Sequence, residues 1–527
     1  MGVQPFSVGT RTQLFVDDFL IASARGLQTR LHAVAKHPRP VLTPSAPWER
    51  PGTGGLWGPL NVQHDGATGQ FQLWYTAYGT YPARGRAEDP AHACLVRSRD
   101  GLAWERPALG LIPFEGSSAN NLLVADGLGH HGVGRGPRPG HGMIDSASFA
   151  PDEPPDVRFK SAEWLGRDAA GWGTHGVCFS PDGLRWRYYE DNPVIRGRNL
   201  GDVISSVALY DLFAPDARPA HPASRYALFP KVHIELGPWR RRCVAVCTSD
   251  DSAAIPFTAW SEETHILSPD ARDDAMAEER LARARPILQW DHPDDHRCEF
   301  YGVQVFRCGD VFLGLLWVFD AAMEFSRVGS NNQYAIVEVQ LVTSRDLIHW
   351  ERAGDRQPVI PRGPADAFDS HMIFYHSLPL PIGDEWWIYY MGFNEGHAAR
   401  MGYTEELRAR YWAEVRAGRR HFPSVGLGRV RQEGFISRRG GLAGGTMLTR
   451  SLQPGGGRLE VNADCGRGGE VRVEVQDLAG RPLVGFATSD CQPLAGDNVR
   501  HAVRWGERAG DASWASQPLR LKFTIRD

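Results

Sequence analysis

Four carboxylates stand at the starts of short apolar runs: Asp145 in Met143-Ile-Asp-Ser146, Asp202 in Leu200-Gly-Asp-Val203, Glu299 in Cys298-Glu-Phe-Tyr301 and Asp369 in Phe368-Asp-Ser-His371. A fifth such start, Leu56-Trp-Gly-Pro59, has none. Asp and Glu make up 62 of 527 residues, so acids at four of five matching places exceed chance. Crowded carboxyls suit glycosidic bond cleavage. One protonated acid donates to the leaving oxygen, and one ionised carboxylate attacks the anomeric carbon or activates water. Like charges resist simultaneous ionisation, which drives their pKa values apart. In this scheme Glu299 is the general acid, because its longer side chain sits beside Phe300 and Tyr301, whose desolvation would raise its pKa. Asp145 or Asp202 is the nucleophile or base, and the other stabilises the developing oxocarbenium ion. Asp369 and His371 are expected to bind hydroxyls. Trp57, and Trp172 in the loop Gly171-Trp-Gly-Thr-His-Gly176, are candidates to stack on a sugar face. The competing use of such acids is structural: capping strand ends, or holding a divalent cation on a shared axis. No other cofactor is expected.

These places match because the chain repeats. Each copy has an apolar run, an aromatic-rich run, then a third run leading into a Ser-x-Asp turn. The turns are clearest in Ser98-Arg-Asp-Gly-Leu-Ala-Trp104, Ser180-Pro-Asp-Gly-Leu-Arg-Trp186 and Ser344-Arg-Asp-Leu-Ile-His-Trp350. Ser249-Asp-Asp251 with Trp260 is looser, and Thr404-Glu-Glu406 is degenerate. The second runs start at Phe71, Arg158, Arg225, Val311 and Glu385; the third start at His92, Gly173, Arg242, Ile336 and Ala399. All-β copies at this spacing predict a five-bladed β-propeller, whose inner strands converge on one axis. Asp100, Asp182 and Asp346 are then turn formers, since Asp bonds nearby backbone amides. Helical composition predicts helices over 271–284 and 405–417. From 426 the texture changes to Gly-punctuated alternating runs such as Glu470-Val-Arg-Val-Glu-Val475, the pattern of a β-sandwich. The expected division is a propeller over 1–425 and a C-terminal sandwich over 426–527.

Composition narrows the function. The formal net charge is −4, without the basic excess that nucleic-acid binding requires. No run is apolar enough for a transmembrane helix. The opening residues lack a basic segment followed by an apolar one, so a cytoplasmic location and a small oligosaccharide or glycoside substrate are expected. The eight cysteines include no CxxC pair, which predicts buried free thiols and no zinc site.

The segments Leu14-Phe-Val-Asp-Asp-Phe-Leu-Ile21, Lys36-His-Pro-Arg-Pro-Val-Leu42 and Pro47-Trp-Glu49 resemble the glycoside hydrolase family 32/43-like proteins. So do the Ser-x-Asp-Gly-x-x-Trp turns, Val484-Gly-Phe-Ala-Thr-Ser-Asp-Cys491 and Val503-Arg-Trp505. The resemblance implies a five-bladed propeller with a sandwich, acting on glycosides that are often furanosides. It also implies Asp, Asp and Glu on the first three blades. Here that order falls on the second to fourth copies, as Asp145, Asp202 and Glu299. The family 32 Asn-Asp-Pro-Asn and Arg-Asp-Pro motifs are missing. Asp17 or Asp18 could supply the acid that the first copy lacks. Two other readings stay open. A glycoside phosphorylase would need cations for phosphate, such as Arg240-Arg-Arg242 or Lys231 with His233; a non-catalytic sugar-binding propeller would need no chemistry.

Overall fold

The computed structural model describes residues 4–526 except 50–54, 79–90, 125–145, 151–152, 210–223, 251, 256, 329–331, 400–403, 418–419 and 507–512. Five antiparallel units follow one another. Their first two strands are Gly55–Asp65 and Gln70–Tyr78, Ser146–Phe149 and Phe159–Arg167, Leu200–Ala208 and Tyr226–Leu236, Arg297–Cys308 and Val311–Glu324, and Met372–Phe374 and Glu385–Phe393. The second strands are those marked by the aromatic runs. Their Trp, Tyr and Phe side chains fit a pleated surface buried on both faces, and Trp74, Trp317, Trp386, Tyr389 and Tyr390 are almost wholly buried.

The inner strand of each of the first three units packs on the inner strand of the next. The fourth unit joins the fifth through a parallel pairing at Val337 and Met372. The fifth unit packs against the first through Glu385–Phe393. This closed ring is the β-propeller predicted from the repeats. Third strands run over Ala91–Ser98, Gly173–Ser180, Trp239–Thr248 and Gln333–Ser344.

The fifth unit departs from expectation. The expected run at Ala399 lies mostly outside the described residues, and the strand that pairs with Glu385–Phe393 is Ser424–Arg431. Beyond it Ala35–Lys36 pairs with Gly428 and Arg429, so an N-terminal strand completes the last unit. The expected boundary at 425/426 therefore falls inside a propeller strand. The N-terminal strands belong to the C-terminal unit: Phe6–Gly9 pairs with Leu452–Pro454, Ile21–Arg25 with Gly445–Thr449, and Gln28–Leu31 with Ile436–Arg439. That unit is all-β, with a four-stranded sheet and two-stranded sheets around Val473, Phe486, Trp505, Trp514 and Phe523.

The Ser-x-Asp turns are architectural. Oδ1 of Asp100 accepts from the amides of Leu102 and Ala103, both at 2.8 Å, and Asp182 and Asp346 repeat the pattern. Gly101 and Gly183 take φ of +71°, a region open to glycine at little cost. Their carbonyls receive side chains of the neighbouring unit: Tyr389 Oη donates to Gly101 at 2.9 Å, and Trp74 Nε1 to Gly183 at 2.8 Å. The helices form at Ala271–Ala284, capped by Asp270, and at Glu405–Arg416. All eight cysteines are buried thiols outside any disulfide.

Candidate functional site

Strands alternate in direction, so the starts of the inner strands share one end of the ring with the starts of the third strands. Three inner strands break register at that end. The pairing skips between Trp57 and Asn61, between Leu200 and Ile204, and between Phe300 and Gly302. Such bulges re-aim side chains and recur beside functional sites. Here they carry Gly58, Asp202 and Tyr301.

Among the described acids at the inner-strand starts, Asp202 is the one open to solvent, its side chain 39% exposed. It pairs with Lys231 of the adjacent second strand, whose side chain is only 3% exposed. Burial drives the Lys231 pKa down, and the charge of Asp202 opposes that shift. Lys231 Nζ lies 4.3 Å from the centroid of the Tyr301 ring, and the Arg242 guanidinium lies 5.3 Å from it. His233, two residues beyond Lys231, is held to a pKa of about 3 by burial and then by the Lys231 and Arg242 charges. Its Nδ1 has no hydrogen-bond partner.

Glu299 is fully buried between two guanidinium groups. Arg242 Nη1 donates to Oε2 at 2.5 Å, and Arg297 Nε donates to Oε1 at 2.8 Å. Burial alone would raise the pKa of this carboxyl, but the charges of Arg242 and Arg297 outweigh it and bring the value down to about 2. Two guanidinium groups on the carboxylate favour its ionised form over the protonated one, which does not suit the expected general-acid role. Arg242 also donates to Gln333 Oε1 at 2.5 Å, and Arg297 to Glu324. His397 Nδ1 donates to the Gln333 carbonyl at 2.8 Å, so its Nε2 accepts from Tyr301 Oη at 3.2 Å.

Trp57 lies in an aromatic cluster at the same end, its ring 5.3 Å from Phe374 and 6.0 Å from Phe393. Below it His376 is buried with neither ring nitrogen hydrogen-bonded, edge-on to Trp317 at 4.4 Å. Trp172 is 40% exposed on the hairpin joining the second and third strands of the second unit, under the Arg196 guanidinium at 4.8 Å.

The remaining expected residues lie elsewhere in the bonding. Asp369 accepts from Lys36 Nζ at 2.6 Å and Tyr390 Oη at 2.8 Å, which fastens the N-terminal strand to the fifth unit. His371 Nε2 donates to the Ile287 carbonyl at 2.9 Å, leaving Nδ1 to accept from Ser370 Oγ. Both are almost wholly buried, Asp369 at 2% and His371 at 4% exposed, which does not suit the expected binding of hydroxyls. Asp17 takes Arg345 in a two-point bond, and Asp18, 83% exposed, takes Arg438; neither supplies the acid missing from the first unit. Asp145 lies outside the described residues. Among the described residues no three of His, Cys, Asp and Glu gather as a metal site.

Sequence reasoning named Lys231, His233 and Arg242 only as a phosphate-binding alternative, and overlooked Arg297, Gln333 and His397. The available signal was charge inside an apolar strand, as Lys231 shows in Tyr226-Ala-Leu-Phe-Pro-Lys-Val232.

No family model and no curated protein matches the sequence. Among solved structures the chain is similar to a glycosyl hydrolase from Bacteroides ovatus, at 11% identity and a TM-score of 0.41 over 77% of this chain and 94% of that one. It is similar to the β-1,2-mannobiose phosphorylase from Listeria innocua, at 9% identity and 0.40 over 77% and 98%. It is also similar to the Bombyx mori β-fructofuranosidase of family 32, at 12% identity and 0.37 over 91% and 93%.

Proposed function

We propose that this chain is a glycoside-cleaving enzyme working at the bulged end of the inner strands, on a small oligosaccharide or glycoside of furanoside type. The observation that carries the reading is the solvent-facing Asp202 carboxylate on its buried Lys231, which lies over the Tyr301 ring. A carboxylate matched with a buried ammonium favours its charged form, which suits a nucleophile or base and not a proton donor. The donor in this reading is Asp145. Glu299 fixes the Arg242 and Arg297 guanidinium groups, and Arg242 with Lys231 presents positive charge to the oxygens of the reacting sugar. Trp57 and Trp172 offer faces for sugar stacking. The furanoside preference rests on the sequence resemblance alone.

A second reading, phosphorolysis, is favoured by one feature: Lys231 and Arg242 lie over Tyr301 next to Asp202, with His233 within reach of both charges. Inorganic phosphate would take the place of water there.

The test is turnover of a panel of aryl furanosides and short oligosaccharides with and without phosphate. Asp202→Asn and Asp145→Asn should each lower kcat by about 10²–10⁴-fold with binding retained. Turnover that needs phosphate selects the second reading. Full turnover by Asp202→Asn removes the assignment, and cleavage of no glycoside by the wild type leaves a sugar-binding propeller.

A further inference from the structure

A second polar cavity, of about 580 Å³, opens between the helix Ala271–Ala284 and the segment 356–365, flanking the fourth and fifth units. Glu338 lines it. On its strand Glu338 is five residues from Gln333, about 17 Å at 3.4 Å per residue, so the cavity is separate from the Asp202 site. Four arginines line it against two glutamates: Arg280, Arg283, Arg356 and Arg362, with Glu279 and Glu338.

The bonding of those arginines shows which donors are spare. Arg356 is spent on Asp270, donating at 2.6 and 2.7 Å. Arg283 stands 3.8 Å from Glu279, both well exposed. Arg280, 4% exposed, gives Nε and Nη2 to Asp320, both at 2.7 Å, and leaves Nη1 with no partner. Arg362 makes one bond among the described residues, from Nη1 to the Ser370 carbonyl at 2.9 Å. Burial lowers the Arg362 pKa despite the nearby Glu338 and Asp320 charges, and burial raises that of Glu338. Guanidinium groups donate only, so the missing partner must be an acceptor. A buried donor left unmade is costly, and a charged acceptor makes the strongest bond to it.

We propose that this cavity is an oxyanion subsite, taking the phosphate ester or carboxylate group of a small metabolite between Arg280 Nη1 and Arg362. It does not depend on the activity assigned to the Asp202 site.

The probes are inorganic phosphate and citrate, titrated at constant ionic strength and followed by calorimetry and Tm. Either anion should bind the wild type and raise Tm, and which one does so separates the phosphate from the carboxylate source. Arg362→Gln should weaken binding at least about tenfold, whereas Lys231→Met should keep it. Binding of neither anion overturns the proposal, and so does binding lost in Lys231→Met but kept in Arg362→Gln. Should Arg362→Gln fold poorly, the wild type alone decides. Phosphate or citrate should slow phenylglyoxal modification of the peptide carrying Arg362, and unchanged modification by both anions refutes the site.

Discussion

At Glu299 two effects compete, and their balance sets its role. Burial favours the neutral acid, while Arg242 and Arg297 favour the ion and win. Removing the charge strands two buried guanidinium groups, so Glu299→Gln should cost about 3–5 kcal/mol of stability, read as a fall in Tm. The pH dependence has a definite sign. The folded pKa of about 2 lies below the ordinary 4.5, so the ion pairs contribute fully above about pH 4.5 and their contribution drains as pH falls toward 2. The Tm gap between wild type and Glu299→Gln should therefore narrow below pH 4.5. A constant gap down to pH 3 contradicts the ion-pair account. The place of Asp202 at the bulged start of an inner strand was legible because it followed from the repeat. The roles of Glu299, Asp369 and His371 were not, because each is set by a partner remote in sequence: Arg242, Lys36 and Ile287.

At the scale of elements, the motifs that carried the family resemblance act as fasteners. Glu49 of Pro47-Trp-Glu49 is buried and receives Tyr75 Oη at 2.5 Å and Arg106 Nε at 2.7 Å. Lys36 holds Asp369, and Asp17 holds Arg345. This is why such motifs reported shape well and substrate poorly. The Ser-x-Asp-Gly turns belong to the same class. An added Cβ at Gly183 would sit 2.9 Å from the Trp74 ring at a φ of +71°. Gly183→Ala should thus lose about 1–2 kcal/mol from backbone strain before any displacement of Trp74, measured by urea unfolding. An unchanged midpoint would mean that the turn does not dock the first unit on the second. The second strands were readable because their aromatic runs are local and continuous. The two-residue pairing of Ala35–Lys36 with Gly428 and Arg429 was not, since so short a strand carries no period to detect.

For the whole molecule, the two ends of the chain form one unit, so the C-terminal part is not a separable domain. A fragment of residues 432–526 lacks the partners of Leu452–Pro454, Gly445–Thr449 and Ile436–Arg439. Alone it should show little cooperative unfolding by circular dichroism, and a peptide of residues 4–33 should restore it; a sharp transition without the peptide counts against the shared unit. The interlacing also bears on synthesis. A nascent chain can stack its first four units as they emerge, but Ala35–Lys36 has no strand to join until residue 431 is out. Phe6–Gly9 waits for residue 454. Residues 6–36 are thus made long before they can settle, and until then the unfinished ring keeps a bare edge that a chaperone or a second nascent chain can reach.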